Sequence, residues 1–215
     1  FPESRWTFAD MLNTAAPFSG AAVTSGNITG ATAAAMIAGA HPGVAVIRCG
    51  GTVNGGYRVY SAQDLRGAAG LAFRSVFYLP ATPDATATTR IGLHDATTTA
   101  APVDGAYVDI AGAVLTCMTA NNSVRSTGPT YTLAGETWYT LDIDYTTDSE
   151  VRFVLSNDAG AVLLDSTINT NVPNSTARLF LAQIIATSAT ASATIIGVDY
   201  MGVGPVRPGF VPRPS

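Results

Sequence analysis

The segment that decides the fold is Thr137–Tyr145, which reads Thr-Trp-Tyr-Thr-Leu-Asp-Ile-Asp-Tyr. Polarity alternates strictly along it. Every second residue is apolar or aromatic: Tyr139, Leu141, Ile143 and Tyr145. The residues between them are Trp138, Thr140, Asp142 and Asp144. Because successive side chains of a β-strand point to opposite faces, this period of two predicts a strand with one face in a core and the other turned outward.

The same alternation continues on both sides of this segment. Leu71–Leu79 has an apolar face of its own, and a short turn leads from Tyr145 into Val151–Leu155. Asn157–Gly160 has the chemistry of a hairpin turn. The remaining predicted strands are Ala21–Ile28, Gly43–Arg48, Gly56–Tyr60, Thr88–His94, Tyr107–Ile110, Ala113–Ala120, Val162–Leu164, Arg178–Ala186 and Thr194–Val203. Many short strands with almost no helix predict an all-β, antiparallel two-sheet sandwich of the jelly-roll kind.

Three parts are expected along the 215 residues. Residues 1–20 predict an N-terminal arm with a short helix over Thr7–Thr14, and a second short helix is an alternative for Ala31–Ala40. Residues 21–203 form the sandwich domain. Residues 204–215 hold four prolines and predict an extended tail, since proline cannot donate to a strand ladder. The chain begins at Phe1 rather than Met, so we expect it to be processed or to be part of a longer chain.

Charge and hydropathy restrict the partners. Lys+Arg is 11, all of it arginine, and the net charge is −4 with a pI near 4.9. Nucleic-acid binding needs a basic stripe that neutralises phosphates, and the arginines are scattered singly. No apolar run reaches the roughly 18 residues of a membrane span. We therefore expect neither a nucleic acid nor a membrane as partner.

Carboxylate pairs are the first candidate chemistry. A retaining glycosidase needs two carboxylates about 5–5.5 Å apart. The three glutamates, Glu3, Glu136 and Glu150, form no such motif. Asp142 and Asp144 share one strand face, but the favoured interpretation is a solvated outer face opposite the core. The sequence therefore predicts no catalytic residue, and we expect the protein not to be an enzyme.

Metal and cofactor sites are also not predicted. His41 and His94 have no companion at ligand spacing. His94 is interpreted as a strand-end histidine in a turn, with a fragment of a polar site beside Asp95 and Asp104 as the alternative. Those two aspartates, or an Asn157–Asp158 pair, are an alternative calcium site.

Cys49 and Cys117 lie in separate apolar runs. Two buried thiols are the favoured interpretation and a disulfide between them is the alternative.

Three segments together resemble a known family. They are Arg90–Asp95 followed by Asp104–Tyr107, then Trp138–Tyr145, then Val151–Leu155 with its turn at Asn157–Gly160. This order is similar to concanavalin A-like (laminin G-like) jelly-roll domains, most of all to those in structural proteins of tailed bacteriophages, over Gly43 to Val203. The resemblance implies two curved antiparallel sheets, a concave face that holds sugar in lectins and glucanases, and a role in virion assembly or host-surface contact.

Function is expected from this resemblance together with the absence of a catalytic pair. The leading hypothesis is a non-enzymatic virion structural protein (a capsid decoration, fibre or tail component). It would be assembled in the host cytoplasm, contact other virion or capsid subunits, form a homo-oligomer and contact a host glycan. The alternatives are a lectin-like carbohydrate-binding module and a polysaccharide hydrolase with an unusual site. Trp138, Tyr107 and Tyr57 are the candidate residues for glycan or subunit contact.

Overall fold

The structure is a computed structural model that describes residues 7–10, 23–29, 45–48, 56–61, 65, 67–80, 85–98, 100–174, 179, 181–188 and 195–205. These residues form fourteen strands and no helix. The strands are β1 (Thr7–Asp10), β2 (Val23–Thr29), β3 (Ala45–Arg48), β4 (Gly56–Ser61), β5 (Leu71–Leu79), β6 (Ala87–His94), β7 (Gly105–Ala111), β8 (Val114–Asn121), β9 (Val124–Thr132), β10 (Thr137–Thr147), β11 (Glu150–Asn157), β12 (Val162–Ile168), β13 (Leu181–Ser188) and β14 (Ile195–Pro205).

Seven strands form the first sheet, here called sheet A. Its order is β1, β14, β5, β10, β11 and β12, and β3 also pairs with β14. Every pairing is antiparallel. Because β5 occupies one side of β14, β3 and β1 follow each other along its other side, beside Ile195–Val198 and Tyr200–Val203 respectively.

Seven strands also form the second sheet, sheet B, in the order β2, β4, β13, β6, β7, β8 and β9. All of its pairings are antiparallel as well. The strands β6 to β9 follow one another along the chain, whereas β4 and β13 are far apart in sequence. Sheet B therefore brings residues near position 60 beside residues near position 183.

The core lies between the two sheets and contains the apolar set on which the sequence argument began. Tyr139, Leu141, Ile143 and Tyr145 are all buried, as predicted. From sheet A they join Phe73, Phe77 and Phe153, and from sheet B Ile91, Val108, Leu115 and Ile184. Each fully buried side chain of this size contributes about 1.5–3 kcal/mol through the hydrophobic effect. The prediction of an all-β, two-sheet antiparallel sandwich is confirmed.

Strand β9 lies where the sequence predicts no regular structure. The sequence predicts no strand between Ala120 and Thr137, yet Val124–Thr132 forms β9. Its side chains are mostly exposed and it contains Pro129, which lacks an N–H donor. The proline is tolerated because β9 pairs only with β8, at the edge of sheet B, where the register shifts. A Cβ at Gly128 would lie 2.5 Å from Cδ1 of Ile168, so glycine permits β9 to approach β12 closely.

The helix predicted for Thr7–Thr14 is wrong at its start, because residues 7–10 form β1 and pair with β14. Tertiary pairing there overrides a weak local preference. Ala31–Ala40, the rest of the arm over residues 1–20, and the tail beyond Pro205 lie outside the described residues. In the described ranges, no helix of the length and hydropathy needed to cross a membrane occurs.

Candidate functional site

Each sheet has an outer face that points away from the core. Register across β14, β5, β10, β11 and β12 assigns to outer face A the residues Arg74, Tyr78, Trp138, Asp142, Asp144, Arg152, Asp165 and Tyr200. Register across β4, β13, β6, β7, β8 and β9 assigns to outer face B the residues Arg58, Tyr60, Arg90, His94, Tyr107, Asp109, Arg125 and Gln183. Both names are used below for these two sets.

On outer face A, two arginines each form a bidentate ion pair with an aspartate. Arg74 donates from Nε to Asp142 Oδ1 at 2.5 Å and from Nη2 to Oδ2 at 2.7 Å. Arg152 makes the same two contacts with Asp165, at 2.8 and 2.5 Å. Bidentate guanidinium–carboxylate pairs of this kind are among the stronger hydrogen-bonded contacts. The Arg74 pair is largely buried, whereas the Arg152 pair is exposed.

Asp144 is the third carboxylate of outer face A. It lies opposite Arg152 in the register, but that guanidinium is engaged by Asp165. Burial first, and the neighbouring charge of Asp142 second, raise the pKa of Asp144 to about 6. Asp142 and Asp144 share one face, as predicted. Because both oxygens of Asp142 accept from Arg74, this carboxylate is held in a structural pair, which disfavours the hydrolase alternative.

An aromatic pair lies on outer face A at the start of β10. The rings of Trp138 and Tyr78 are 5.2 Å apart between centroids and are tilted by 49°. Both side chains are half-buried. Trp138 therefore presents part of its surface on this face, away from the core set of its own strand.

Outer face B is polar across its centre and yet buried. In one cross-strand row, Tyr60 pairs with Gln183, Gln183 with Gly92, and Gly92 with Tyr107. Gln183 and Tyr107 are both fully buried, and so is His94 in the neighbouring row. Buried polar side chains are nearly always paired, so the partners of these three residues need to be accounted for.

Gly92 leaves a bare position in the middle of this row. Its φ is +148°, a conformation that L side chains rarely adopt. A Cβ there would lie 2.6 Å from the Ala106 carbonyl oxygen and 2.9 Å from Cδ1 of Ile143 on the core side. Between Gln183 and Tyr107, outer face B therefore exposes the backbone of Gly92 and no side chain.

A hydrogen-bond relay connects β4 to β6 through Gln183. Arg58 Nε donates to Gln183 Oε1 at 2.6 Å. Since the amide oxygen is thereby the acceptor, Gln183 Nε2 is the donor to His94 Nδ1, at 2.9 Å, and also to the His94 carbonyl. Burial, then the charges of Arg90 and Arg58, hold the pKa of His94 well below its usual range. His94 is therefore neutral, accepts at Nδ1 and carries its proton on Nε2.

Two donors on this face have no acceptor. The His94 Nε2–H and the Tyr107 O–H are buried and donate to no described residue. The Arg125 guanidinium, which can only donate, acts on the Tyr107 oxygen. Their rings meet edge to face, with centroids 5.5 Å apart. Burial, with Asp109 second, raises the pKa of Tyr107 to about 12, so the phenol keeps its proton. Outer face B thus offers two neutral, desolvated donors close together.

Arginines surround these donors. Arg90 Nε donates to Asp109 at 2.9 Å, and its Nη1 donates to the Ala100 carbonyl at 3.1 Å. Arg125 Nη2 donates to the Pro102 carbonyl at 2.9 Å. Both carbonyls belong to the segment between β6 and β7, which is therefore fastened over this face. The Cζ of Arg58 lies 3.9 Å above the ring of Tyr60.

The predicted contact residues are not brought together. Trp138 lies on outer face A and Tyr107 on outer face B, on opposite sides of the sandwich. Tyr57, in β4, pairs through its backbone with Ala186 of β13, and its side chain lies outside the described residues. Whether any of the three contacts a ligand or a subunit stays a prediction.

The turn aspartates bind backbone. Asp95 Oδ1 accepts from the N–H groups of Val103 and Asp104, and Asp104 Oδ1 accepts from that of Asn122. Asn157 Oδ1 likewise accepts from Ala161. Within the ranges that the structure describes, no group of three or more His, Cys, Asp or Glu side chains is placed to hold a metal ion.

Cys117 is a buried free thiol, whose pKa burial raises to about 12. Cys49 lies outside the described residues.

Sequence reasoning missed most of outer face B. His94 is a strand-end histidine, as predicted, because it is the last residue of β6. The sequence does not predict its full burial or its bond to Gln183. Arg58, Arg90 and Gln183 were not singled out. One signal was available: Gln183 interrupts the apolar run Leu181–Ala186 of β13, and a buried glutamine requires partners. Which partners it finds depends on the register between distant strands.

The fold defines the protein as a concanavalin A-like jelly-roll sandwich, the class that the sequence resemblance predicted. The chain belongs to the family described as SO2946-like, C-terminal domain, whose model matches residues 40–199. No curated protein sequence matches the chain.

Solved structures share this architecture at low identity. Protein SO2946 from Shewanella oneidensis MR-1, of unknown function, superposes with a TM-score of 0.70 at 20% identity, covering 95% of this chain and 89% of that one. The Emp47p carbohydrate recognition domain gives 0.62 at 10% identity, covering 93% and 94%. The Ca²⁺/Man2-bound exoplasmic/lumenal domain of VIP36 gives 0.57 at 9% identity, covering 88% and 83%. At these identities the likeness establishes the fold.

Proposed function

We propose that this chain is a carbohydrate-binding domain and that outer face B is its ligand face. The observation that carries the proposal is a pair of buried donors, the His94 Nε2–H and the Tyr107 O–H, neither of which donates to a described residue. Leaving a buried donor without a partner costs about 1–3 kcal/mol. Polar groups that a fold leaves unpaired in this way are expected at functional sites, where a ligand pairs with them. Sugar hydroxyl and ring oxygens are suitable acceptors.

Fold neighbours supply independent support. Emp47p and VIP36 are similar in architecture over most of this chain, the first as a carbohydrate recognition domain and the second in a Ca²⁺/Man2-bound form. Carbohydrate binding is thus a function that this architecture serves elsewhere. The residues that would serve it here are this chain's own and are argued from their geometry.

A ligand would approach from the partly exposed rim of the face. Arg58, Tyr60 and Asp109 are only half-buried, whereas His94, Tyr107 and Gln183 are fully buried. Aromatic and charged groups at a rim around a few buried polar groups are typical of small-ligand sites. In this arrangement the rim contacts most of the saccharide and the buried donors hold one of its oxygens.

A glycan array probed with the full chain tests the function, and two variants test the face. Tyr107→Phe removes one of these two donors and should weaken binding about tenfold, the value of one hydrogen bond of about 1.4 kcal/mol. Tyr139→Phe is the matched control, since Tyr139 bonds only to Ala134 at a core position, and it should bind normally. An array without binding would overturn the function. Binding lost in Trp138→Ala and retained in Tyr107→Phe would place the ligand on outer face A instead.

Virion assembly, with a homo-oligomer and contacts to other virion subunits, rests on the sequence resemblance alone and stays a prediction. It is compatible with glycan binding, because a virion protein that contacts a host surface would use the same face. Mass spectrometry of purified particles would test it, and absence of the chain from particles would remove it.

A further inference from the structure

Charge is unevenly distributed on outer face B. Its described residues include three arginines, Arg58, Arg90 and Arg125, and one carboxylate, Asp109. Asp109 is paired with Arg90. The two aspartates of the adjacent loop, Asp95 and Asp104, accept from backbone N–H groups. Arg125 also acts on the Asp109 carboxylate. Of the three arginines, Arg58 is therefore the one for which the described part of this surface supplies no carboxylate.

Arg58 is the arginine best placed to hold a ligand. Its Nε is occupied by Gln183, and its planar group lies over Tyr60, so the side chain is fixed from two directions. No described residue bonds to Nη1 or Nη2. A guanidinium fixed in this way presents two parallel N–H donors, the geometry that matches a carboxylate or sulfate group.

The surroundings favour an anion over a neutral group. Partial burial lowers the pKa of Arg58 from its ordinary value, and the charges that act on His94 are those of Arg90 and Arg58. An incoming anion would enter a region of uncompensated positive charge and low dielectric, where such attraction is stronger than in water. Gln183 bonds to both Arg58 and His94, so the guanidinium and the imidazole belong to one hydrogen-bonded group on this face.

We propose that outer face B takes an anionic saccharide, whose carboxylate or sulfate is held by Nη1 and Nη2 of Arg58 while a neighbouring sugar oxygen accepts from His94 Nε2 or Tyr107. The inference rests on the proposed function and names its ligand class. Arg90 is not the anchor, because Asp109 and Ala100 already occupy its donors.

The first experiment is a glycan array with three sets of probes: neutral oligosaccharides, uronic- or sialic-acid oligosaccharides, and sulfated oligosaccharides. We expect binding within the two anionic sets, and which set is bound identifies the group. Titration calorimetry then compares tetragalacturonate, or the best anionic probe, with its carboxyl-reduced or desulfated form. The uncharged form should bind at least tenfold more weakly.

Variants then test the anchor. Arg58→Gln should weaken binding of the anionic probe at least tenfold. Arg152→Gln changes the net charge equally on outer face A and should bind within twofold of the wild type. Arg58→Lys keeps the charge without the fork and should lie between the two, which preserves the test if Arg58→Gln does not fold. Thermal unfolding of each variant shows that it is folded.

The outcomes separate the two proposals. Equal binding of the anionic probe and its uncharged form, or binding of neutral probes alone, overturns the anionic ligand and leaves carbohydrate binding in place. Anionic binding that Arg58→Gln and Arg58→Lys leave intact overturns Arg58 as the anchor. No binding to any probe overturns the proposed function and this inference with it.

Discussion

Outer face A and outer face B contain the same kinds of residue, arginine, aspartate and aromatic side chains, but differ in how their polar groups are hydrogen-bonded. On outer face A, Arg74 and Arg152 each find a carboxylate that accepts from both sides of the guanidinium fork. On outer face B, a relay runs from Arg58 through Gln183 to His94, whose Nε2–H donates to no described residue. A surface whose polar groups satisfy one another needs no ligand, whereas one that leaves buried donors open costs stability until something binds. This difference is the reason for proposing outer face B, and not outer face A, as the ligand face.

Removing one partner of the buried pair on outer face A should have the largest effect on stability. Asp142→Asn leaves Arg74, which is only 9% exposed, facing a neutral amide. We expect the free energy of unfolding to fall by about 3 kcal/mol, the usual cost of leaving one buried charge uncompensated. Urea denaturation followed by tryptophan fluorescence measures it.

Glycan binding is the internal control for this variant. If outer face A is structural, Asp142→Asn should bind any glycan ligand as the wild type does once it is folded. A loss of less than 1 kcal/mol would show that the pair does not hold the sheet together, and the contrast between the faces would lose its energetic basis.

Two tyrosine-to-phenylalanine variants compare a satisfied hydroxyl with an open one. Tyr139 accepts from the N–H of Ala134 at 2.7 Å and donates to its carbonyl at 3.1 Å. Tyr139→Phe should therefore cost about 1–1.5 kcal/mol, because these bonds are lost. Tyr107→Phe removes a hydroxyl that donates to no described residue, so it should cost less than Tyr139→Phe, by about 1 kcal/mol.

The same urea titrations give both values. Equal losses in the two variants would mean that the Tyr107 hydroxyl is already satisfied in the free protein, and the case for a ligand on outer face B would then rest on His94 alone.

Most of the fold was accessible from the sequence, and most of the site was not. Strands such as β5 and β10 can be predicted because burial of one face makes side-chain polarity alternate with a period of two residues. β9 is hidden because an edge strand with exposed side chains carries no such pattern. The relay of outer face B joins residues 125 and 89 positions apart, Arg58 with Gln183 and Gln183 with His94. Such contacts depend on the order and register of β4, β13 and β6, which local patterning does not determine.

Asp144 gives outer face A a pH dependence of known sign. Its folded-state pKa is raised to about 6 by burial and by Asp142, above its value of 3.8 in the absence of these effects. The folded state therefore binds the proton more tightly, so stability is fully present below about pH 4 and is lost as the pH rises through about 6. Asp144→Asn should remove this loss and stabilise the protein at pH 7 by about 1 kcal/mol, allowing for partial solvent screening.

Chemical denaturation at pH 4, 5, 6 and 7 measures this difference, which should grow across the series. A constant difference, or one of opposite sign, would mean that Asp144 is ionised in the folded protein at all these values. Arg152 would then have to serve two carboxylates at once.

The smallest effect is expected at the exposed pair. Arg152 and Asp165 form the same fork as Arg74 and Asp142, but their side chains are 45% and 44% exposed, against 11% and 19%. Solvent and salt screen an exposed pair, so Asp165→Asn should cost about 0.5 kcal/mol in low salt and nothing measurable near 1 M NaCl. The free energy of unfolding that Asp142→Asn loses should be the same at both salt concentrations, because the strength of the buried pair comes from its burial and not from its bidentate geometry. If both variants lost the same energy and responded to salt alike, bidentate geometry alone would set the strength of these pairs. Arg58, half-buried and fixed by Gln183 and Tyr60, would then be expected to hold an anion no better than Arg152 does.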